Sequence, residues 1–142
     1  MKDEAYIKAI GHILFSFQML EEGLKICVGL SYDIISAVVP SELSFKVNAK
    51  KIEKSSLGSL ITLFSDVTKN HSLVTDLKNI VQWRNFCAHN AYLHEFQNRN
   101  DQSNFSNHSI EDLVKVLKHL NELVNRVGIE VAKLREVQKK LE

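Results

Sequence analysis

The residues best suited to do chemistry lie in one short segment, residues 83–90, which reads WRNFCAHN. The imidazole of His89 can accept and release a proton near neutral pH. Arg84 can hold a phosphate through two parallel hydrogen bonds, and the side-chain amide of Asn85 can donate a hydrogen bond to a phosphate oxygen. Together, these residue types point to chemistry on a phosphodiester.

RNA suits such a site because it carries its own nucleophile, the 2′-hydroxyl group. The site must take the proton of that hydroxyl, stabilise the crowded phosphate and protonate the leaving 5′-oxygen. A histidine and an arginine suffice for these steps in principle, so the predicted reaction needs no metal ion and no other cofactor. DNA lacks the 2′-hydroxyl and is predicted to resist cleavage.

The spacing of these residues permits a joint site but does not require one. Asn85 and His89 are four residues apart and share one face of a helix. Arg84 lies about 140° from His89 around an ideal helix, so either its long side chain reaches around or the helix loosens near His89. The alternative is that Arg84 forms an ordinary ion pair and that His89 only interacts with the dipole at a helix end.

The elements that position this segment are predicted to be helices, because the chain has only one proline and five glycines. Apolar residues three and four apart predict a first helix from about Asp3 to the region of Val38, and Pro40 ends it. Residues 41–54 are expected to form a connector.

Two further helices are predicted before the last one. The first runs from Ser55–Ser56 to about Lys69, and the second runs from near Ser72 into the segment 83–90. Residues 95–108 are polar, rich in asparagine and without periodicity, which predicts a loop.

The last helix is predicted to open with a capping box formed by Ser109 and Asp112. Its apolar residues recur about every 3.5 positions, which is typical of a helical bundle. Further apolar residues on this helix suggest a second buried face, which a dimer would use: Val114, Val116, Leu123 and Ile129. The patterns therefore predict an all-α protein, one domain over residues 1–142, with four helices that run up and down.

Glu21 occupies the apolar seam of the first predicted helix, between Phe17 and Leu24. A carboxylate turned toward a core is unfavourable by several kcal/mol unless it is paired. We therefore predict that Glu21 meets Arg84 or another polar group of the segment. The alternative is that the helix rotates slightly and Glu21 reaches solvent.

Charge and composition limit the classes of function. The chain has 142 residues and a net charge of +1, so it lacks the basic excess of a protein that coats duplex nucleic acid. Cys27 and Cys87 are too few for a disulfide framework and are predicted to be free, buried thiols. No secretory signal or membrane span is apparent, which predicts a cytoplasmic protein without a membrane partner.

The segment 84–89 resembles the Arg-x4-His signature of the HEPN superfamily, in which a polar residue directly follows the arginine. Arg84, Asn85 and His89 occupy those positions here, and Ala88 is a common neighbour. The stretches FSFQMLEEGLK and SSLGSLITLF resemble the corresponding helices of small prokaryotic members. The likeness spans most of the chain, although only the motif is sharp.

This resemblance implies a bundle of four or five helices with the motif near the end of an inner helix. It also implies a metal-independent endoribonuclease that cleaves single-stranded RNA, often as a toxin or a phage-defence effector. The resemblance also implies a homodimer in which two motifs face each other across a two-fold axis. In that dimer, arginine from one chain and histidine from the other could act on one phosphate.

Many small members of this superfamily are paired with a nucleotidyltransferase antitoxin, which can modify a tyrosine two residues after the histidine. That position is Ala91 here, and Tyr92 follows one residue later, so Tyr92 is kept only as a supporting candidate. Some members have lost catalysis and bind only RNA or nucleotides. The alternative function is therefore a non-catalytic helical bundle that serves as an RNA-binding, nucleotide-binding or protein-interaction module.

Overall fold

The computed structural model describes the backbone of residues 2–90 and 109–142, and the side chains of residues 4–88 and 109–142. The described backbone forms helices and contains no strand, which confirms the all-α class. Its elements are α1 (Lys2–Val38), α2 (Ala49–Glu53), α3 (Leu57–Val67), α4 (His71–Asn85), a π-helical turn (Phe86–Asn90) and α5 (Ile110–Lys140). The loop predicted at residues 95–108 lies outside the described residues.

The first helix is continuous over 37 residues, as its apolar spacing predicts, and it passes Gly29 and Ser31 without a break. The hydroxyl of Ser31 donates a hydrogen bond to the carbonyl oxygen of Cys27 at 2.7 Å, so this buried polar group is satisfied within the helix. None of the described helices, α1 included, is apolar enough over a sufficient length to span a bilayer. Residues buried on the core face of α1 include Ile10, Ile13, Phe17, Leu20, Leu24 and Val28.

The helices α1 and α5 lie side by side and run in the same direction. In the first half of both, the hydroxyl of Ser16 donates a hydrogen bond to Oδ1 of Asn121 at 2.8 Å. Further along both, the Sγ atom of Cys27 lies 3.8 Å from the carbonyl oxygen of Val127. Because the contacts advance together along the two helices, the helices are parallel.

The helix α4 runs in the opposite direction along α5. Its N-cap residue Asn70 donates from Nδ2 to Oε1 of Glu130 at 2.9 Å. Further along α4, Oδ2 of Asp76 accepts a hydrogen bond from Nη1 of Arg126 at 2.6 Å. The order of the pairs is reversed between the two helices, so α4 carries its final residues toward the first halves of α1 and α5.

The connector of residues 39–56 returns along α1. The ring of Phe45 packs edge-on against that of Tyr32, with ring centroids 5.6 Å apart. Farther along the connector, Glu53 accepts a hydrogen bond from Nζ of Lys25 at 3.4 Å. In a regular up-down bundle, a long helix would run back between α1 and α3. Here the connector makes that return with only the short stretch Ala49–Glu53 in helical form, so α1 and α5 run in the same direction.

The sequence prediction of a plain connector over residues 41–54 is incomplete, because Ala49–Glu53 form the short helix α2. Asn48 caps this helix, and its side chain accepts a hydrogen bond from the backbone N–H of Lys51 at 3.0 Å. Ile52 is buried and attaches the helix to the core. A single buried side chain in a short, charged stretch leaves no apolar periodicity for sequence analysis to find.

The predicted capping residues of α3 and α5 are confirmed. The hydroxyl of Ser56 accepts a hydrogen bond from the backbone N–H of Ser59 at 3.3 Å. At the start of α5, Ser109 and Asp112 each accept a hydrogen bond from the other's backbone N–H at 3.2 Å, which is the predicted capping box. Both helices therefore begin where their side chains satisfy the first backbone donors.

The second buried face predicted on α5 is only partly present within one chain. Val116 and Leu123 belong to the core, whereas Val114 and Ile129 are exposed. The two buried residues are covered because α5 packs against α4 as well as α1. Of these four apolar residues, only Val114 and Ile129 therefore remain exposed for contact with another molecule.

Both cysteines are free and buried, as predicted. Burial raises the pKa of Cys27 to about 12 and the pKa of Cys87 to about 11, because a thiolate would lose its hydration in the apolar interior. The carboxylate of Glu130 contributes a smaller rise to the pKa of Cys27. Both side chains are therefore neutral thiols at pH 7.

The contact between α1 and α5 depends on the absence of a side chain at Gly23. A Cβ atom added there would lie 2.9 Å from Cγ1 of Val127, which is closer than Cβ atoms normally approach. Val127 is buried and β-branched, so its side chain has few alternative rotamers. At Gly11, on the same helix, an added Cβ would meet nothing within 4 Å.

We expect Gly23→Ala to destabilise the protein, although alanine is the better helix former. Overpacking typically costs about 1–3 kcal/mol, whereas the gain in helix propensity is at most about 1 kcal/mol. Gly11→Ala is the matched control, because it gains the same propensity without a clash and should be stabilising. Urea unfolding measures both free energies, and equal stabilities of the two variants would contradict the close contact.

Candidate functional site

The helix α4 is anchored in the core and carries the motif at its end. Its buried residues are Leu73, Val74, Leu77 and Ile80. Seven residues after Ile80, the buried side chain of Cys87 continues the same face into the following turn. This anchoring fixes the place where Arg84 and Asn85 leave the core.

The winding of the backbone changes within the motif. After Asn85 the α-helix becomes a π-helical turn over Phe86–Asn90. Hydrogen bonds in a π-helix link residues five apart, so one turn takes more residues than in an α-helix. The backbone position of His89 therefore comes closer to the side of Arg84 than the angle of about 140° in an ideal α-helix. A joint site is predicted to need either a long reach of the Arg84 side chain or a loosening of the helix near His89. The π-helical turn is such a loosening.

Glu21 lies beside the motif, and the predicted contact with Arg84 is confirmed. Nε of Arg84 donates a hydrogen bond to Oε1 of Glu21 at 3.2 Å, which joins the middle of α1 to the end of α4. The side chain of Glu21 is 21% exposed and that of Arg84 is 39% exposed. The pair therefore lies at the edge of the bundle, where it is shielded on one side and open to water on the other.

This contact leaves part of the guanidinium group of Arg84 open. Glu21 occupies the Nε–H, and the two terminal nitrogens make no hydrogen bond to any described residue. A guanidinium held at Nε has a fixed orientation and can offer its remaining N–H groups to a phosphate. The next residue, Asn85, is exposed and adds an amide to the same end of α4.

Cys87 is unsuited to a nucleophilic role, although it lies inside the motif. Its side chain is fully buried, and its pKa is raised by loss of hydration to about 11. The reactive form of a cysteine is the thiolate, which is scarce here at neutral pH. Cys87 therefore holds the turn in the core and does not take part in chemistry.

The side chains of two candidate residues from the sequence are not among those that the structure describes. His89 is described by its backbone alone, within the π-helical turn, and Tyr92 lies outside the described residues. The structure brings Glu21, Arg84 and Asn85 to one edge of the bundle, while the roles of His89 and Tyr92 stay predictions. Among the side chains that are described, no group of three or more His, Cys, Asp or Glu could hold a metal ion.

A groove near the motif contains two residues that sequence analysis did not single out, Lys115 and His119. The groove has a volume of about 200 Å³, lies between α4 and α5, and is lined by Asn79, Ile80, Trp83, Lys115, Val116 and His119. Lys115 and His119 are four residues apart and share a face of α5. The sequence alone could not reveal them, because only the pairing of α4 with α5 places that face opposite Trp83.

Comparison with known protein families, with curated proteins and with solved structures finds no match for this chain. The likeness to HEPN proteins is therefore a prediction that rests on the sequence, above all on residues 84–89. The contact of Arg84 with Glu21 is a feature of the structure and does not depend on that likeness.

We expect the Glu21–Arg84 pair to contribute about 1 kcal/mol or less to stability, because both side chains are partly exposed. A double-mutant cycle with Glu21→Gln and Arg84→Gln, measured by urea unfolding at low salt, isolates the coupling energy. The coupling should shrink at high salt through screening. The same cycle on Asp76 and Arg126, which join α4 to α5, is the reference. No measurable coupling of Glu21 to Arg84 at low salt would contradict the contact.

Proposed function

We propose that this protein is a metal-independent endoribonuclease of the HEPN type, which cleaves single-stranded RNA through attack by the 2′-hydroxyl. The observation that carries the proposal is the contact of Glu21 with Nε of Arg84, because it orients a guanidinium whose terminal nitrogens are open. Exposed Asn85 follows directly, and the π-helical turn draws the backbone of His89 toward the same side. A phosphate recognised by two parallel N–H groups needs a guanidinium that is held in place.

Each of these residues has a distinct role in the proposed reaction. Arg84 and Asn85 hold the non-bridging oxygens of the scissile phosphate, and Arg84 balances the negative charge that builds up there. His89 transfers protons as general base and general acid. Glu21 is a positioning residue, because it acts through Arg84 and does not touch the substrate. Tyr92 is a supporting candidate.

The proposed cleavage step needs no co-reactant, because the RNA supplies both the nucleophile and the leaving group. A base takes the proton of the 2′-hydroxyl while the 2′-oxygen forms a bond to phosphorus. The bond between phosphorus and the 5′-oxygen breaks, and the leaving oxygen receives a proton from an acid. The products are a 2′,3′-cyclic phosphate and a 5′-hydroxyl end. In a homodimer, His89 of one copy serves as the base and His89 of the other copy as the acid.

A two-fold homodimer in which the motifs face each other must form through the edge of the bundle around Glu21. Leu14 and Ile7 lie one and two heptads before Glu21, within about 40° of it on an ideal helix, and Ile7 is exposed. The outer face of α1, defined by the exposed residues Phe15 and Met19, lies about 120–160° away from Glu21. Contact through that outer face would keep the two motifs apart.

The proposal extends to the biological setting implied by the resemblance of residues 84–89 to HEPN proteins. The protein would act in the cytoplasm as a toxin or a phage-defence effector. A nucleotidyltransferase antitoxin would be its partner and would hold the activity in check. The sequence motif supports this setting, together with the oriented guanidinium group of Arg84.

One observation favours a second function, a non-catalytic HEPN-like bundle that binds RNA, nucleotides or another protein. The carboxylate of Glu21 neutralises Arg84 in the free protein, as an ordinary structural ion pair would. A nearby negative charge also weakens the attraction of a phosphate to Arg84. In this case Arg84 would stabilise the bundle instead of a reacting phosphate.

We expect Arg84→Ala and His89→Ala each to slow cleavage of single-stranded RNA by about 100-fold or more, the typical effect of losing a proton-transfer or charge-stabilising group. Cleavage by the unaltered chain should persist in EDTA, because the reaction uses no metal ion. RNA with a 2′-deoxy sugar at the cleaved position should resist. Gel analysis of end-labelled RNA measures each of these results.

Arg126→Ala is the matched control for Arg84→Ala. Arg126 is also paired with a carboxylate of the bundle, but it lies away from the motif, so its loss should leave cleavage unchanged. Circular dichroism verifies that each variant keeps its helical content. If folded Arg84→Ala and His89→Ala cleave as fast as the unaltered chain, the nuclease proposal is wrong. An unaltered chain that binds RNA without cutting it would favour the second function.

We expect Ile7→Glu to convert the dimer to a monomer and to abolish cleavage, because it places a charge at the edge where the motifs meet. Phe15→Glu is the control on the outer face of α1, where the side chain is 61% exposed, and it should change neither property. Light scattering coupled to size-exclusion chromatography measures the mass. The reverse pattern would mean that copies associate through the outer face and that the motifs do not face each other.

A further inference from the structure

We propose that the groove between α4 and α5 binds one base of a single-stranded RNA, whose adjoining phosphate is held by Lys115. This inference rests on the proposed function, since it takes RNA to be the substrate. It assigns a second contact for that RNA, on the side of α4 that faces α5.

Two polar side-chain pairs join the first part of α4 to α5, and the groove lies between the same two helices, nearer to the motif. Asn70 pairs with Glu130, and Asp76 pairs with Arg126 at 2.6 Å. Beyond Asp76, toward the motif, the lining includes the polar side chains of Asn79, Lys115 and His119. None of these three forms a hydrogen bond or ion pair with a described residue, so their polar groups are available to a ligand.

The walls of the groove suit a flat aromatic ligand. Trp83 is half-buried and presents its indole to the groove, while Phe86 lies edge-on to it with ring centroids 5.9 Å apart. This neighbour restricts the movement of the indole. Ile80 and Val116 supply apolar surface between the helices. Stacking on an aromatic side chain is the usual way in which proteins bind an unpaired base of RNA.

The charge of the groove favours a ligand with a phosphate. Lys115 is a cation, and none of the lining residues is acidic. The amide of Asn79 can both donate and accept hydrogen bonds, which matches the edge of a base. His119 adds an imidazole that can hydrogen-bond or stack. A purely apolar peptide would leave these three polar side chains without partners, which is unfavourable.

The size of the groove limits what it can hold. Its volume is about 200 Å³, whereas sites for drug-sized ligands and cofactors usually measure about 300–1,000 Å³. One ring system fits within such a space, but a dinucleotide cofactor does not. The rest of a longer ligand must therefore lie outside, as the backbone of a polynucleotide would.

The position of the groove relative to the motif explains how one RNA strand reaches both sites. Trp83 and Arg84 are consecutive residues, so their side chains diverge by about 100° around α4. Trp83 faces α5 in the groove, and Arg84 faces α1 through Glu21. A strand that passes around the end of α4 therefore places a phosphate at Arg84 and a neighbouring base against Trp83.

Trp83 is the only tryptophan of the chain, so its fluorescence reports directly on the groove. The full chain carrying His89→Ala, which leaves the RNA intact, is titrated with single-stranded oligoadenylate. We expect saturable quenching of the Trp83 emission. Anisotropy of labelled RNA should show binding weakened about tenfold by Lys115→Gln and by His119→Ala, and about 10- to 100-fold by Trp83→Ala, the range for loss of a stacked base.

Lys118→Gln is the control, because it removes the same charge from an exposed site on α5 outside the groove. Binding unchanged by this variant supports the proposal, and an effect equal to that of Lys115→Gln overturns it. Unchanged Trp83 emission while anisotropy reports RNA binding, or binding of AMP but not of the oligonucleotide, also overturns it.

Cleavage assays distinguish failure of the groove from failure of the nuclease. If the unaltered chain cleaves RNA and the groove variants cleave it equally well at limiting RNA, only the groove proposal fails. If Arg84→Ala and His89→Ala leave cleavage unchanged while the groove variants weaken RNA binding, the nuclease assignment fails and the groove stands.

Discussion

The close, parallel contact of α1 with α5 at Gly23 is the constraint on which the rest of the structure depends. The two helices, 37 and 31 residues long, form a layer against which α4 packs. Because they are parallel, their first halves lie at the same end of the bundle. The end of α4 therefore meets α1 on one side and α5 on the other, and this geometry positions the side chains of Glu21, Arg84 and Trp83.

The direct neighbours Trp83 and Arg84 show how a helix end can serve two surfaces. Ile80 and Cys87 keep α4 in the core, so the residues between them have to leave it on either side. Arg84 meets the carboxylate of Glu21, while Trp83 lines an apolar groove with a single cation. The change to π-helical winding comes immediately afterwards, at Phe86–Asn90, where it alters which later residues share the side of Arg84. Such π-helical turns are rare, and they occur often at functional sites.

Much of this arrangement could be predicted from the sequence, because it depends on local signals. Periodicity located α1, and single side chains such as Ser56 and Ser109 marked where helices begin. The pairing of Glu21 with Arg84 was also predictable, since a carboxylate on an apolar seam needs a partner. The helix α2 and the groove were not predictable in this way. The former depends on one buried residue, Ile52, and the latter depends on how two distant helices align.

The way in which α4 is fastened has a consequence for its response to ionic strength. Its beginning is tied to α5 through Asn70 and Asp76, and its end is tied to α1 through Arg84, while its middle is held by apolar packing. Salt screens partly exposed ion pairs and leaves apolar contacts intact or strengthens them. In concentrated salt the backbone of α4 thus stays in place, because Ile80 and Cys87 remain buried, while the side chain of Arg84 gains freedom. The stability of the core and the rigidity of the Arg84 side chain therefore respond differently to salt.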